Sequence, residues 1–231
     1  MIGSILQTGI GIDCEGETFR AVCVRRQWKR LRVVGRLEIP EYRKLAATEC
    51  GRLYRAFLRK HRLRGPQTVV ALPRSATLLR ALTFPQTVEK ELGRAVEYQL
   101  DSLHPFEEGG VYWDFAVWKW PQPGIWENLA ANQAESGAAR LETIVGIAER
   151  KAVDEAAAWF EEAGIPVSQF GVSAALWIAA FWPALKADFA DAPAFFLLHA
   201  RSERVEIIGF VPGREPVWQE VAAESNETAD D

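Results

Sequence analysis

Three histidines, three cysteines and two adjacent carboxylate pairs are the side chains of this 231-residue sequence whose types could do chemistry. His61 lies in a basic stretch, His104 precedes a proline and His199 sits in an apolar run, none with a Cys, Asp or Glu at metal-ligand spacing. Cys14, Cys23 and Cys50 are odd in number and widely spaced, which reads as small buried residues and argues against a disulfide framework or a zinc site. The pairs Glu107/Glu108 and Glu161/Glu162 fall in a loop and on a helix face, where carboxylates are usually solvated. Neither a Gly-x-Ser-x-Gly turn nor a Walker-type phosphate loop occurs. The expectation is therefore no catalytic residue, no metal and no cofactor.

Two other groupings point to contact with partners. Trp113, Trp118, Trp120 and Trp126 crowd fourteen residues ahead of a soft Pro-, Gly- and Asn-bearing loop, which fits either edge-strand packing or a binding surface with aromatic anchors. From Arg20 to Arg64 fifteen Lys or Arg face three Glu, a balance of +12 that leaves −16 for the remainder of a chain of net charge −4. Such a stretch is a solvated face, a surface for anionic lipid or a dock for an acidic partner. Nucleic acid fits less well, since no helix-turn-helix or RNP-like aromatic motif accompanies the charge. No run of eighteen apolar residues occurs and the start, MIGSILQTGIGID, lacks a basic leader, so the expected location is cytoplasmic.

The elements that must position these residues follow from periodicity. Residues 8–14, 18–24 and 31–39 read as three strands in an antiparallel meander, the last closed by Pro40. A helix over 44–63 has Ala46, Cys50, Leu53 and Phe57 as its candidate buried stripe, with Tyr54 and Leu58 on the flank, and ends at Gly65 and Pro66. Strands over 69–72 and 77–84 precede a helix over 88–102, for which Thr87 is the expected N-cap and Leu92, Val96 and Leu100 the buried stripe. Residues 111–120 alternate, with Val111, Trp113, Phe115 and Val117 toward a core. Then come a strand over 140–148, a helix over 150–163 with Val153, Ala157 and Phe160 inward, a strand over 167–172 and a helix over 173–187 apolar on nearly every side. The end of the chain reads as a hairpin over 194–210, a strand over 217–221 and a disordered acidic tail.

The order of strand 69–72, ALPRSATLLRALTFP, EKELGRAVEYQLDSLHPF and EEGGVYWDF resembles the PilM proteins of type IV pilus assembly and the cytoplasmic part of GspL in type II secretion. The resemblance runs from Gly11 to about Phe210. It implies the actin-like, FtsA-related fold, an α/β class of mixed α+β sheets. Its ribonuclease H-like first lobe would span 1–73 and 165–190, with an inserted α+β subdomain over 74–164, a truncated or reduced second lobe over 191–223 and a tail over 224–231. In that fold the first strand turn wraps a nucleotide phosphate, and an Asp in it helps hold the metal. Asp13 matches, but Glu15 stands where those proteins have Gly and Glu17 adds a second carboxylate; like charges oppose a polyphosphate and a Cβ obstructs the turn. The second phosphate loop, Asp-Ile-Gly in those proteins, is replaced by His199, Ala200 and Arg201.

Three readings follow. The first is a non-catalytic scaffold at the inner membrane that joins membrane components of a pilus or secretion platform to cytoplasmic machinery. The resemblance implies a PilN-like membrane-anchored partner for it, with the assembly ATPase and a second copy of the chain as further partners. Phe106, Trp118 and Trp120 are the candidate anchors. The second reading is an actin-like ATPase, with Asp13 as its one nucleotide-site residue. The third is a regulatory module that binds an acidic partner or anionic lipid through residues 20–64.

Overall fold

The first strand lies at the centre of the main sheet, with a neighbour on each side. In the computed structural model, which describes residues 7–27, 30–107, 109–118, 140–188, 195–200, 204–210 and 217–222, strand β1 (Gln7–Asp13) pairs antiparallel with β2 (Phe19–Gln27) and parallel with β4 (Gln67–Leu72). Strand β3 (Arg30–Ile39) adds to the outer edge of β2, and β8 (Gln169–Val172) adds parallel to β4. The resulting order, β3-β2-β1-β4-β8, is an antiparallel meander extended by two parallel crossovers.

Alternation decides what this sheet buries. Ile10 and Ile12 of β1, Phe19, Ala21 and Cys23 of β2 and Thr68 and Val70 of β4 are all at most 2% exposed. Helix α1 (Ala47–Lys60) and helix α3 (Arg150–Ala163) belong to the same core, through Cys50, Tyr54, Phe57, Phe160 and Ala163. Each large apolar side chain so buried contributes roughly 1.5 to 3 kcal/mol. The sequence assigns 150–163 to the inserted subdomain; in the structure that helix packs on α1, with Arg55 Nη1 donating to the Ala163 carbonyl at 3.0 Å. Its inward face also differs from the expected one. Ala157 is exposed, because Trp159, Phe160 and Ala163 are the residues that meet the core.

Helix α1 keeps Cys50 and Phe57 of its expected stripe but turns its buried face toward Tyr54. Ala46 is exposed as the residue before the helix, Leu53 is half-buried, and the buried set is Ala47, Cys50, Gly51, Tyr54 and Phe57. At about 100° per residue the centre of the buried face moves by roughly 65°. Two contacts drive it. The Tyr54 hydroxyl meets Thr68 Oγ1 at 3.2 Å, which satisfies a buried phenol, and Gly51 lets the α3 backbone approach. Gly164, at φ 64° in the C-cap of α3, closes that helix with its N–H directed to the Glu161 carbonyl.

A second sheet has the order β5-β7-β6, from β5 (Thr77–Pro85), β7 (Arg140–Glu149) and β6 (Val111–Trp118). Helix α2 (Leu92–Leu103) buries Leu92, Val96 and Leu100 as the spacing requires. Thr87 is not its cap: the chain enters through a 3₁₀ turn over Gln86–Glu91, so Thr87 lies inside a turn whose entry conformation Pro85 sets. Strand β6 keeps its expected faces through 117, with Val111 buried and Tyr112 exposed, its hydroxyl 3.0 Å from Asp154 Oδ1. Helix α4 (Ser173–Asp188) is not buried all round; Ser173, Ala174 and Ile178 are buried while Ala179, Ala180 and Phe181 are exposed. A third sheet, β11-β10-β9, is the expected hairpin and last strand: β9 (Phe195–Ala200), β10 (Arg204–Phe210) and β11 (Val217–Ala222).

By compactness the chain divides into two units. One comprises Met1–Leu78, His104–Trp113 and Gly146–Trp177; the other comprises Leu79–Leu103, Asp114–Val145 and Ile178–Asp231. The first carries the five-stranded sheet with α1 and α3. The second carries α2 and the β9–β11 sheet. Among the described residues no helix is long and apolar enough to cross a membrane.

Candidate functional site

The turn that follows β1 is where a ribonuclease H-like lobe would meet phosphate, and here its atoms are directed at one another. Asp13 ends β1 and its Oδ1 accepts the backbone N–H of Glu15 at 2.9 Å, an Asx-type turn. Gly16 follows at φ 77°, a conformation that disfavours any side chain. The turn is then held from outside by residues after β3. Tyr42 Oη donates to the Cys14 carbonyl at 2.8 Å, Arg43 Nε to the Gly16 carbonyl at 3.1 Å, and Tyr42 N–H to the Glu17 carbonyl at 3.2 Å.

Beneath it lies an aromatic cluster that fixes Tyr42. Its ring meets Phe19 edge-on at 6.0 Å between centroids and Trp159 at 5.7 Å and 81°, and Trp159 in turn meets Phe160 at 5.1 Å. Such pairs contribute about 0.5 to 1.5 kcal/mol each beyond their buried area. Sequence reasoning missed Tyr42 and Arg43 as parts of this turn. Their one local signal is an aromatic and a cation just past Pro40, where Glu41 adopts φ 49° and reverses the chain toward β1.

Burial suppresses the ionisation of the nearby groups by raising their pKa values. Desolvation, reinforced by the Asp13 charge and only partly opposed by Arg43, pushes the Cys14 thiol from 9.0 up to about 12. Desolvation first, and then Cys14, pushes the Tyr42 phenol from 10.0 up to about 12, again against Arg43. At neutral pH Cys14 is therefore a thiol and a poor nucleophile or metal ligand. Among the described residues no group of three His, Cys, Asp or Glu side chains is arranged to hold a metal ion.

The other expected positions are dispersed. His199 pairs in register with Glu206 across β9 and β10, and its Nδ1 lies 3.0 Å from the largely buried Glu206 Oε2, so this hairpin carries a histidine–carboxylate pair where Asp-Ile-Gly was looked for. Phe106 is half-buried, its ring 5.7 Å from that of His104. The Trp118 side chain, Trp120 and Arg201 lie outside the described residues, as do Glu108 and 223–231. His61 is half-buried; its ring rests 4.9 Å from Phe57 and over Gly35, where a Cβ would come within 2.6 Å of it.

No protein-family model and no curated protein matches the sequence. Solved structures do. The chain is similar over 95% of its length to one described as the PilM–PilN type IV pilus biogenesis complex, with TM-score 0.64 and 19% identity, and it spans 61% of the chain it matches there. It is similar over 92% of its length to the cytoplasmic domain of EpsL, an inner membrane component of the type II secretion system of Vibrio cholerae, with TM-score 0.53 and 9% identity, spanning 71% of that chain. The fold is thus the one this chain shares with the PilM–PilN complex structure and the EpsL cytoplasmic domain.

Proposed function

We propose that the protein is a non-catalytic cytoplasmic scaffold of a pilus or secretion platform, peripheral at the inner membrane. It would hold a PilN-like membrane-anchored protein, with the assembly ATPase and a second copy of itself as further partners. The observation that carries this reading is the β1–β2 turn, whose backbone groups are taken up by Asp13, Tyr42 and Arg43. A phosphate site needs backbone N–H groups facing outward, but the Glu15 N–H is donated to Asp13, and Glu15 and Glu17 flank it with carboxylates. At an effective dielectric near 20, a unit charge about 4 Å from a phosphate charge opposes binding by about 4 kcal/mol, close to a thousandfold in affinity.

The fold supports the partner. A PilM chain of the same architecture is found in complex with PilN, and the likeness extends over nearly all of this chain. An actin-like ATPase of the same machinery is the second reading, favoured by Asp13 at the end of β1. Anisotropy of a fluorescent ATP analogue with magnesium separates them. The scaffold reading expects no saturable binding in the micromolar range, and saturable binding lost on Asp13→Ala would replace it with the ATPase. Capture of a PilN-like N-terminal peptide is the positive arm. Trp118→Ala with Trp120→Ala is expected to weaken that capture while the melting temperature stays near that of the parent.

A further inference from the structure

Strand β3 carries a bulge with a consequence for its surface. Cys23 pairs with Gly35 but Val24 pairs with Val33, so Val34 is the extra residue. Below the bulge the register joins Phe19 to Ile39 and Ala21 to Leu37, and these positions share the face that packs on α1. Continued without interruption, the alternation would carry Val33 and Leu31 on that same face. The extra residue flips them to the opposite side, beside Val24 and Arg26, where Leu31 is 72% and Val33 54% exposed. The other side of the ribbon receives Arg32 opposite Arg25 and Arg30 opposite Gln27.

This ribbon is cationic in sequence. Residues 20–36 contain seven Lys or Arg and no Asp or Glu. Among the described residues the side chains of Arg30, Arg32 and Arg36 form no ion pair or hydrogen bond, and Arg25 faces Arg32 directly, a like-charge pairing that works against the hairpin. β3 is also the free edge of its sheet. Charge alone would be an ordinary guard against edge pairing, but such a guard does not turn two apolar side chains outward.

We propose that the far end of the β2–β3 ribbon binds an anionic bilayer surface, with Leu31 and Val33 entering the headgroup layer and Arg30 and Arg32 among the lipid phosphates. Charge complementarity selects the occupant. The cations project from both faces of the ribbon, so a laterally mobile layer of anions can answer all of them, whereas one partner strand or helix answers a single face. Direct lipid contact is independent of the nucleotide question and of the PilN-like partner.

The test is co-sedimentation of the full chain with vesicles of phosphatidylglycerol and phosphatidylethanolamine, against vesicles of phosphatidylcholine alone. Binding is expected to the anionic vesicles only and to fall as salt rises. Arg30→Gln with Arg32→Gln is expected to weaken partition about 25-fold, about fivefold or 1 kcal/mol per charge. Leu31→Ser with Val33→Ser is expected to remove the part that survives high salt, with melting unchanged since both side chains are exposed. Equal partition to neutral vesicles, no binding to anionic ones, or anionic binding indifferent to both double variants overturns the proposal. So does capture by soluble poly-glutamate without vesicle binding, which would assign the ribbon to an acidic protein. If the arginine variant does not fold, the salt series on the parent and the Leu31/Val33 variant still decide.

Discussion

Gly51→Ala sets two physical effects against each other. In the interior of α1, helix propensity favours alanine over glycine by about 1 kcal/mol. The tertiary contact opposes it: a Cβ at Gly51 would lie 1.7 Å from the Ala163 carbonyl oxygen and 2.7 Å from its carbon, both backbone atoms of α3. Ordinary contact begins at 3.4 Å, so α3 must retreat by about 1.7 Å. A rotamer change cannot relieve it. Retreat strains the packing of Phe160 and Ala163, at about 1 to 3 kcal/mol for overpacking, and stretches the 3.0 Å bond from Arg55 to the same carbonyl, about 1.5 to 3 kcal/mol for a charged donor. After the propensity gain the net loss is about 1.5 to 5 kcal/mol, which for a chain of this size lowers the melting temperature by roughly 3 to 20 °C. Urea unfolding followed by tryptophan fluorescence measures it, with Ala56→Gly on the exposed face as the control for propensity alone. A Gly51→Ala protein as stable as the parent, or more so, would refute the account of how α1 and α3 meet.

Three further outcomes are expected. Tyr42→Phe removes the donor to the Cys14 carbonyl and should cost about 1 kcal/mol, with faster amide exchange across 14–17 as its local sign. Gly164→Ala forces a Cβ onto φ 64° and against Arg55, and is expected to lose about 1 to 2 kcal/mol in the same urea assay; no loss would mean that α3 ends differently. The pH dependence has a definite sign. Cys14 ionises near 9 in the unfolded chain and near 12 when folded, so its contribution is intact below pH 9 and lost as pH climbs through the window to 12, where the unfolded chain releases its proton first. Cys14→Ser should flatten the fall of the urea midpoint between pH 9 and 11, leaving the part due to Tyr42, and an unchanged slope would show that the thiol is not buried as described.

Local sequence determined most of the element list. Prolines and glycines punctuate it, two-residue alternation marks the strands and four-residue spacing marks α2, and these are short-range effects that each segment carries with it. The identity of the first turn was also legible, since Asp13, Glu15, Gly16 and Glu17 are adjacent. What holds that turn was not: Tyr42 and Arg43 come from some thirty residues downstream, and their hydrogen bonds exist only once β3 has brought them back to β1.

The tertiary structure alone decided which side of α1 and of the far half of β3 is inside. Helix α1 has apolar residues enough for two stripes, and Thr68 on a strand and the Ala163 carbonyl on another helix chose between them. Strand β3 has an uninterrupted alternation on paper, and one unpaired residue at Val34 sends Leu31 and Val33 to the opposite face. Periodicity records the faces an element possesses, but a neighbour's shape selects the face that is buried, and a bulge is a property of two paired strands that neither strand's sequence contains by itself.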